Sequence, residues 1–275
     1  MLKIFTGSFH PDLEQALVEE VRQIKAADPL APFALVAPSS TLINRLRDLL
    51  IIEHTQSLLN VHFLTFHQLA LRLYEERLVL DGDRSSRFEL VPDLFFEHLL
   101  GQIIARNPPE LAGMKLASLG SGAWPALWAT LRDLKDATVD PSTALRGVAE
   151  GLFDSEDASK LRALFALYSA VLETARSLRV GSPDDLVSAM TPWVPQSRFL
   201  SRLRRVCYYG FYDVTQVQLS LFEAVAAARS ATIRHSPLPG VFSNAICFRW
   251  PRHPSRSFES RRGAHDPITP LTCRS

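Results

Sequence analysis

The first 75 residues alternate short, continuous apolar runs with longer stretches in which apolar residues recur every three or four positions. The short runs cover residues 2–6, 33–37 and 61–65, and an amphipathic stretch follows each of them. Continuous apolar runs of this length are typical of buried strands, and the recurring pattern is typical of helices. Three strand–helix units in succession predict a parallel sheet covered by helices.

The middle of the chain, from about residue 88 to 190, shows only the helical pattern. One stripe in it consists of Leu161, Leu164, Tyr168, Val171, Ala175 and Leu178. The strand pattern returns at residues 205–212, and a helical stretch begins at Gln216. We therefore predict an α/β domain over residues 1–235 that carries an all-helical insertion at about residues 88–190.

Residues 236–275 have neither period. They contain six prolines, six arginines and no lysine. This composition predicts a disordered tail, or an aberrant carboxyl end such as a change of reading frame would produce.

Composition limits the class of protein. Of the 275 residues, 47% are apolar, which is enough for a sizeable core, and no apolar run is long enough to span a membrane. The start of the chain lacks the layout of a secretory signal, so we expect a cytoplasmic protein with no membrane partner. Three widely spaced cysteines, Cys207, Cys247 and Cys273, indicate reduced thiols rather than disulfides or a metal site.

The balance of 30 basic and 29 acidic residues requires any nucleic-acid surface to be local. The densest basic cluster consists of Arg198, Arg202, Arg204 and Arg205. Such a cluster fits either a nucleic-acid contact or a solvated helix face.

The first strand–helix unit has the outline of a phosphate-binding loop. That loop needs the pattern G-x-x-x-x-G-K-[ST], in which amides and lysine hold the phosphates and the hydroxyl holds magnesium. Counted from Gly7, its last three positions are Asp12, Leu13 and Glu14, and Pro11 removes an amide donor. The segment is therefore interpreted as a turn without nucleotide chemistry.

The third unit contains Thr65, Phe66 and His67, which resemble the T-F-H-S-L segment along the DNA path of UvrD-like superfamily-one helicases. A hydroxyl and an imidazole can meet phosphates, and an aromatic ring can pack under a base or support the loop. The residues alone equally allow a helix start, with Thr65 as the cap and Phe66 in the core.

Residues 206–225 resemble the helicase segment in which two acidic residues hold magnesium and activate water. When Asp213 and Gln218 are matched to that segment, its two acidic positions fall on Tyr209 and Gly210. Neither residue can hold a metal ion or act as a general base.

Together with residues 35–50 and the helical insertion, these segments resemble the amino-terminal, degenerate helicase-like region of AddB-type subunits. These subunits belong to ATP-dependent helicase–nucleases that process double-strand breaks for recombination. The resemblance implies a RecA-like sheet that guides a DNA strand beside an AddA-type motor subunit. It also implies truncation, because the second motor-like domain, the carboxyl-terminal nuclease and its four iron–sulfur cysteines have no counterpart here.

We therefore expect a non-catalytic domain without cofactor or metal that contacts single-stranded DNA at the carboxyl ends of its strands. Ligands of open α/β sheets bind at that edge. The candidate residues there are Ser39, Ser40, Thr65, Phe66 and His67. A module that docks a partner without binding DNA is the main alternative, and an active ATPase is the third.

Overall fold

The computed structural model describes residues 3–4, 8–54, 58–81, 87, 89–106, 109, 111, 120–211, 214–234, 246–247 and 271–272. The chain divides into two compact units. The first comprises residues 1–80, 189–214 and 218–275, and the second comprises residues 81–188 and 215–217.

Helices dominate the described residues. In chain order they are α1 Glu14–Ala27, α2 Ser40–Asp48, α3 Phe66–Asp81, α4 Asp93–Ala105, α5 Trp124–Asp136, α6 Pro141–Ala149, α7 Ser155–Leu178, α8 Pro183–Met190, α9 Arg198–Arg202 and α10 Gln216–Arg234. π-Helical turns cover Phe9–Leu13 and Leu49–Glu53, and 3-10 helices cover Ser121–Ala123 and Thr191–Gln196. The strands are β1 Lys3–Ile4, β2 Phe33–Val36, β3 Val61–Leu64, β4 Glu89–Leu90, β5 Val180–Gly181, β6 Arg205–Tyr208, β7 Ile246–Cys247 and β8 Leu271–Thr272.

A small parallel sheet forms the centre of the first unit. Strand β2 pairs in parallel with β3 on one side and with β6 on the other. All four residues of β2 are buried, as the continuous apolar run predicts for a central parallel strand. The strand order continues through the two-residue strands β7, β1 and β8, of which β8 runs antiparallel to β1.

The predicted parallel sheet is thus confirmed for β2, β3 and β6. The first predicted strand is limited to Lys3–Ile4 among the described residues. Strands β7 and β8 fall in the stretch predicted as a disordered tail, and the rest of residues 236–275 lies outside the described residues.

Helix α1 contributes one face to the core of the first unit. Leu17, Val21 and Ile24 are buried there, together with Leu13 just before the helix. These are the positions that the helical periodicity of the sequence predicts. Leu46 of α2, together with Leu49 and Leu50 of the turn after it, also belongs to this core.

A buried lysine fixes the amino ends of two strands. Lys25 is only 8% exposed, and its ammonium group donates hydrogen bonds to the carbonyls of Pro29, Ala31 and Leu59. The Nζ–O distances are 3.1 Å to Pro29 and 2.9 Å to Ala31. Because these carbonyls precede β2 and β3, the lysine links α1 to both connections.

Helix α1 is also tied to β6 by a buried ion pair between Glu20 and Arg205. Arg205 therefore belongs to the interior rather than to the basic surface cluster in which the sequence places it. The neighbouring thiol of Cys207 is fully buried, and burial raises its pKa to about 12. A thiol in that state has little nucleophilic character.

The second unit has its own helical core. The rings of Phe96 in α4 and Trp128 in α5 stack with centroids 4.4 Å apart. A Cβ atom on Gly101 would overlap the ring of Trp124, so glycine permits the close approach of these two helices. Tyr168 and Val171 of α7 join this core, in agreement with the predicted stripe.

The expectation that residues 88–190 form only helices was wrong in one detail. Strands β4 and β5 pair in parallel, and the amide of Val91 donates to the carbonyl of Gly181 at 2.9 Å. Arg179 ends α7 with a left-handed backbone (φ 57°), which turns the chain into β5. Two-residue strands are too short to produce an alternating pattern in the sequence.

Candidate nucleic-acid interface

The carboxyl ends of β2, β3 and β6 lie at one edge of the sheet. Val36, the last residue of β2, is in register with Leu64 of β3 and with Tyr208 of β6. The ladder extends one step further, because the amide of Ala37 donates to Leu64 and that of Tyr209 donates to Val36. The loops after the three strands are thus neighbours, as parallel pairing predicts.

Ser39 ends the loop after β2, Ser40 is the first residue of α2, and both are exposed. Ser39 is the N-cap of α2, where its Oγ accepts a hydrogen bond from the amide of Leu42 at 3.2 Å. This confirms the serine cap that the sequence offers for this helix. The hydroxyl hydrogens of both serines and the positive end of the helix dipole are available to an anion at this edge.

Thr65 begins the loop after β3 and caps α3 reciprocally with Gln68. The Oγ1 of Thr65 accepts from the amide of Gln68 at 3.2 Å, and the side-chain oxygen of Gln68 accepts from the amide of Thr65 at 2.8 Å. This is a capping box. Of the two roles that the sequence leaves open for Thr65, the structure shows the helix cap.

Phe66 is 5% exposed and packs inside the edge rather than on it. Its ring centroid lies 5.7 Å from that of Tyr208 and 4.9 Å from that of Phe211. The side chain therefore supports the loops after β3 and β6 and presents no open ring face to a base. Its neighbour His67 is half-buried, and its Nδ1 atom has no hydrogen-bond partner in the described part of the chain.

The segment that resembles a phosphate-binding loop forms a closed turn. Gly7 lies outside the described residues. The amide and the hydroxyl of Ser8 both donate to the Asp12 carboxylate, at 3.1 and 3.0 Å. Leu13, at the lysine position of the motif, is 5% exposed and belongs to the core. Asp12 and Leu13 thus stabilise the helix entry, which agrees with the interpretation as a turn.

Glu14, at the hydroxyl position of the motif, is held by two partners. Its carboxylate lies 2.8 Å from Nδ1 of His10 and 3.5 Å from the Arg45 guanidinium. Tyr209, at one of the acidic helicase positions, is 2% exposed. Burial, together with the negative charge of Glu14, raises the pKa of Tyr209 to about 12, while Arg45 opposes the shift.

The fold therefore brings together the two segments that depart from the helicase pattern. A nucleotide site at this edge would need a lysine, a hydroxyl group and two acidic residues. The edge instead carries the paired carboxylate of Glu14 and the neutral phenol of Tyr209. Gly210 follows Tyr209 with φ 80°, a left-handed backbone that suits glycine in the sharp turn after β6. Arg45 is a participant that the sequence did not predict, because it lies 31 positions from Glu14.

The four arginines of the basic cluster in the sequence lie in two different environments. Arg198, Arg202 and Arg204 are exposed, whereas Arg205 faces Glu20. Arg198 and Arg202 line a groove of about 800 Å³ at the amino ends of the strands, on the edge opposite the candidate interface. Sequence reasoning identified these arginines but not the groove, whose other walls come from α3 and from the chain before β2 and β3.

Among the described residues, no three His, Cys, Asp or Glu side chains are grouped so that they could hold a metal ion. Within the same residues, no helix is long and apolar enough to cross a membrane. Comparison with protein-family models and with curated proteins finds no match for this chain.

Proposed function

We propose that this chain is a non-catalytic, helicase-like scaffold domain that contacts single-stranded DNA at the carboxyl edge of its sheet. In this proposal the sheet is a reduced relative of the RecA-like sheet, and the chain acts like the degenerate region of an AddB-type subunit beside an AddA-type motor. One observation carries the proposal. The start of α1 lies close enough to the residue after β6 for the Glu14 carboxylate to raise the pKa of Tyr209, and both residues stand at positions that the helicase resemblance assigns to nucleotide chemistry.

The side chains at these positions support the non-catalytic part of the proposal. Leu13 cannot neutralise a phosphate, and the Glu14 carboxylate would repel one. Tyr209 is neutral at physiological pH, as tyrosine ordinarily is, and its pKa is raised further to about 12. Measurable ATP turnover by the purified chain, assayed by phosphate release, would contradict this part.

The exposed polar groups support the DNA-binding part. Ser39 and Ser40 lie at the start of α2, where hydroxyl donors and the helix dipole favour a phosphate. The capped Thr65 lies in the adjacent loop. Because phosphate contacts release counterions, the affinity for DNA should fall as salt rises.

Fluorescence anisotropy with labelled oligothymidylate at low salt tests the proposal. The Ser40→Glu variant places a negative charge at the proposed phosphate position, yet acidic residues suit the first turn of a helix, so the fold should persist. We expect its affinity to be weaker by about threefold or more.

The matched control is Ser142→Glu, which changes an exposed serine in the first turn of α6 in the second unit. This variant should bind like the wild type. Absence of binding by the wild type, or equal affinities of Ser40→Glu and wild type, would reject DNA binding at this edge.

The alternative, a partner-docking module without DNA binding, is favoured by the groove at the opposite edge of the sheet. Co-purification with a motor subunit in the absence of DNA, together with a null anisotropy result, would select it.

A further inference from the structure

The groove at the amino edge of the sheet has features of a recognition site that the proposed DNA contact does not use. One wall comes from α3 and the opposite wall from α9, and Pro32 and Asn60 line it just before β2 and β3. Its volume of about 800 Å³ falls within the usual size of ligand-binding clefts.

The two carboxylates that line the groove are engaged by neighbouring groups. Glu76 accepts from the hydroxyl of Ser197 at 2.6 Å and from the amide of Phe199 at 2.9 Å, so it fixes the start of α9. Glu75 lies 3.5 Å from the Arg72 guanidinium. The charge of Glu75 is therefore compensated by an ion pair, and that of Glu76 is stabilised by two neutral hydrogen-bond donors.

The two arginines on the opposite wall are not compensated in this way. Arg198 and Arg202 are four positions apart on α9, so they lie on the same helix face. Both are exposed, and neither has an ion-pair partner among the residues that the structure describes. The groove thus presents two guanidinium groups that suit carboxylates or phosphates.

Aliphatic side chains accompany these charges. Val79, at the groove, is 82% exposed, and its neighbour Leu80 is 38% exposed. Leu59 precedes Asn60 in the chain, and the Asn60 side chain donates to the carbonyl of Leu30 at 2.9 Å. Leu59 and Leu30 are 55% and 59% exposed, so exposed aliphatic surface borders the groove.

The lining favours a peptide over a nucleic acid. Single-stranded nucleic acids need open aromatic faces for stacking. Phe199, the aromatic ring at this groove, already contacts His62 edge-on at 5.0 Å and lies under the Arg72 guanidinium at 5.5 Å. The exposed aliphatic side chains at the groove match those of a peptide.

The chain's own carboxyl-terminal residues lack the complementary charge. Residues 236–275 contain six arginines against Glu259 and Asp266, so they would be repelled by Arg198 and Arg202. A segment of another protein is therefore the better electrostatic match.

We propose that the amino-edge groove docks an acidic, aliphatic-rich peptide segment of a partner protein. Arg198 and Arg202 bind its carboxylates, and Val79 and Leu80 contact its aliphatic side chains. The docked segment lies on the edge opposite the DNA contact, so this site does not depend on DNA binding.

A phage-displayed library of random dodecapeptides, selected on the full chain, tests this proposal without assuming a sequence. We expect the selected peptides to be enriched in both acidic and aliphatic residues and to compete with one another. Their affinity for the Arg198→Glu/Arg202→Glu variant should be at least about tenfold weaker, because attraction becomes repulsion.

A matched control is Arg162→Glu, at an exposed position of α7 in the second unit, which should bind the selected peptides like the wild type. Circular dichroism checks that each variant folds, and a Val79→Ser variant tests the aliphatic contact without any change of charge. Selected peptides without acidic enrichment, full binding by the double variant, or failure to select any binder would overturn the proposal. Loss of oligothymidylate binding in the double variant, with peptide binding retained, would also overturn it and assign the groove to DNA.

Discussion

The carboxylate of Glu76 in α3 accepts a hydrogen bond from the hydroxyl of Ser197, with 2.6 Å between Oε2 and Oγ. The two residues are 121 positions apart, and the other carboxylate oxygen accepts from the amide of Phe199. This single side chain therefore joins the third strand–helix unit to the segment that leads into β6. It also orients the helix that carries Arg198 and Arg202.

Replacement of Glu76 by alanine should destabilise the first unit. The change leaves the start of α9 without its carboxylate acceptor, and we expect the free energy of unfolding to fall by about 1–3 kcal/mol. Urea denaturation followed by circular dichroism measures it. Glu75→Ala, which removes an exposed ion pair one position away, should change stability by less than about 0.5 kcal/mol. Equal effects of the two changes would contradict the role of Glu76.

Replacement of Lys25 by methionine should also be costly. The variant keeps much of the apolar stem but leaves the carbonyls of Pro29, Ala31 and Leu59 without their shared donor. We expect a loss of about 2 kcal/mol or more in urea denaturation. Arg22→Met, on the exposed face of the same helix, is the control and should stay within about 0.5 kcal/mol of wild type.

The Glu20–Arg205 pair should show strong coupling. Arg205→Met leaves the Glu20 carboxylate buried without its guanidinium, and we expect a loss of about 3–5 kcal/mol. The double variant Glu20→Leu/Arg205→Met removes both charges, so it should lose less than Arg205→Met alone. A double-mutant cycle in urea measures the coupling, and additive losses would contradict a direct pair.

The raised pKa of Asp136 makes the stability of the second unit depend on pH. Burial, followed by the charge of Asp184, raises its pKa to about 6 from the ordinary aspartate value of 3.8. The folded state therefore binds this proton more tightly, and stability falls as the pH rises from about 3.8 to about 6.

Asp136→Asn should therefore stabilise the chain at pH 8 by about 1 kcal/mol, once solvent screening of this partly exposed group is considered. The gain should disappear near pH 4, where the native aspartate is protonated. Asp133→Asn, at an exposed position of the same helix, is the control for loss of charge. A gain of the same size at both pH values would show that the titration of Asp136 is not its cause.

A substitution of Phe66 distinguishes whether its ring supports the loops at the sheet edge or stacks on a DNA base. Phe66→Leu keeps an apolar side chain against Tyr208 and Phe211, so a supporting residue should tolerate it with less than about a twofold change in DNA affinity. Loss of a stacked base would weaken binding by at least about fivefold, since one stack contributes about 1–3 kcal/mol. Anisotropy on the folded variant distinguishes the two outcomes.

Local rules of the sequence predicted much of the first unit. A serine before a helical period predicted the cap of α2, and Thr65 had the residue type and position of the cap of α3. The apolar stripe of α1 identified its buried face. These features depend on neighbours within four positions, so the sequence contains the information that determines them.

Other features required the tertiary structure. Arg205 has the same local pattern as its exposed neighbours, yet it is largely covered and pairs with Glu20, 185 positions away. Strands β4 and β5 are too short to leave a pattern, and β5 begins directly after the left-handed Arg179 that ends α7.

The sequence by itself determined the order of β2, β3 and β6 with the helices that follow them, the caps of α2 and α3, and the residue types at Leu13, Glu14, Tyr209 and Gly210. Only the tertiary structure decided that Phe66 is inside the sheet edge and that Arg198 and Arg202 face a groove. The physical reason is that residue type and spacing fix local hydrogen bonds and amphipathic faces. Burial and charge pairing depend instead on which distant segments the sheet brings together.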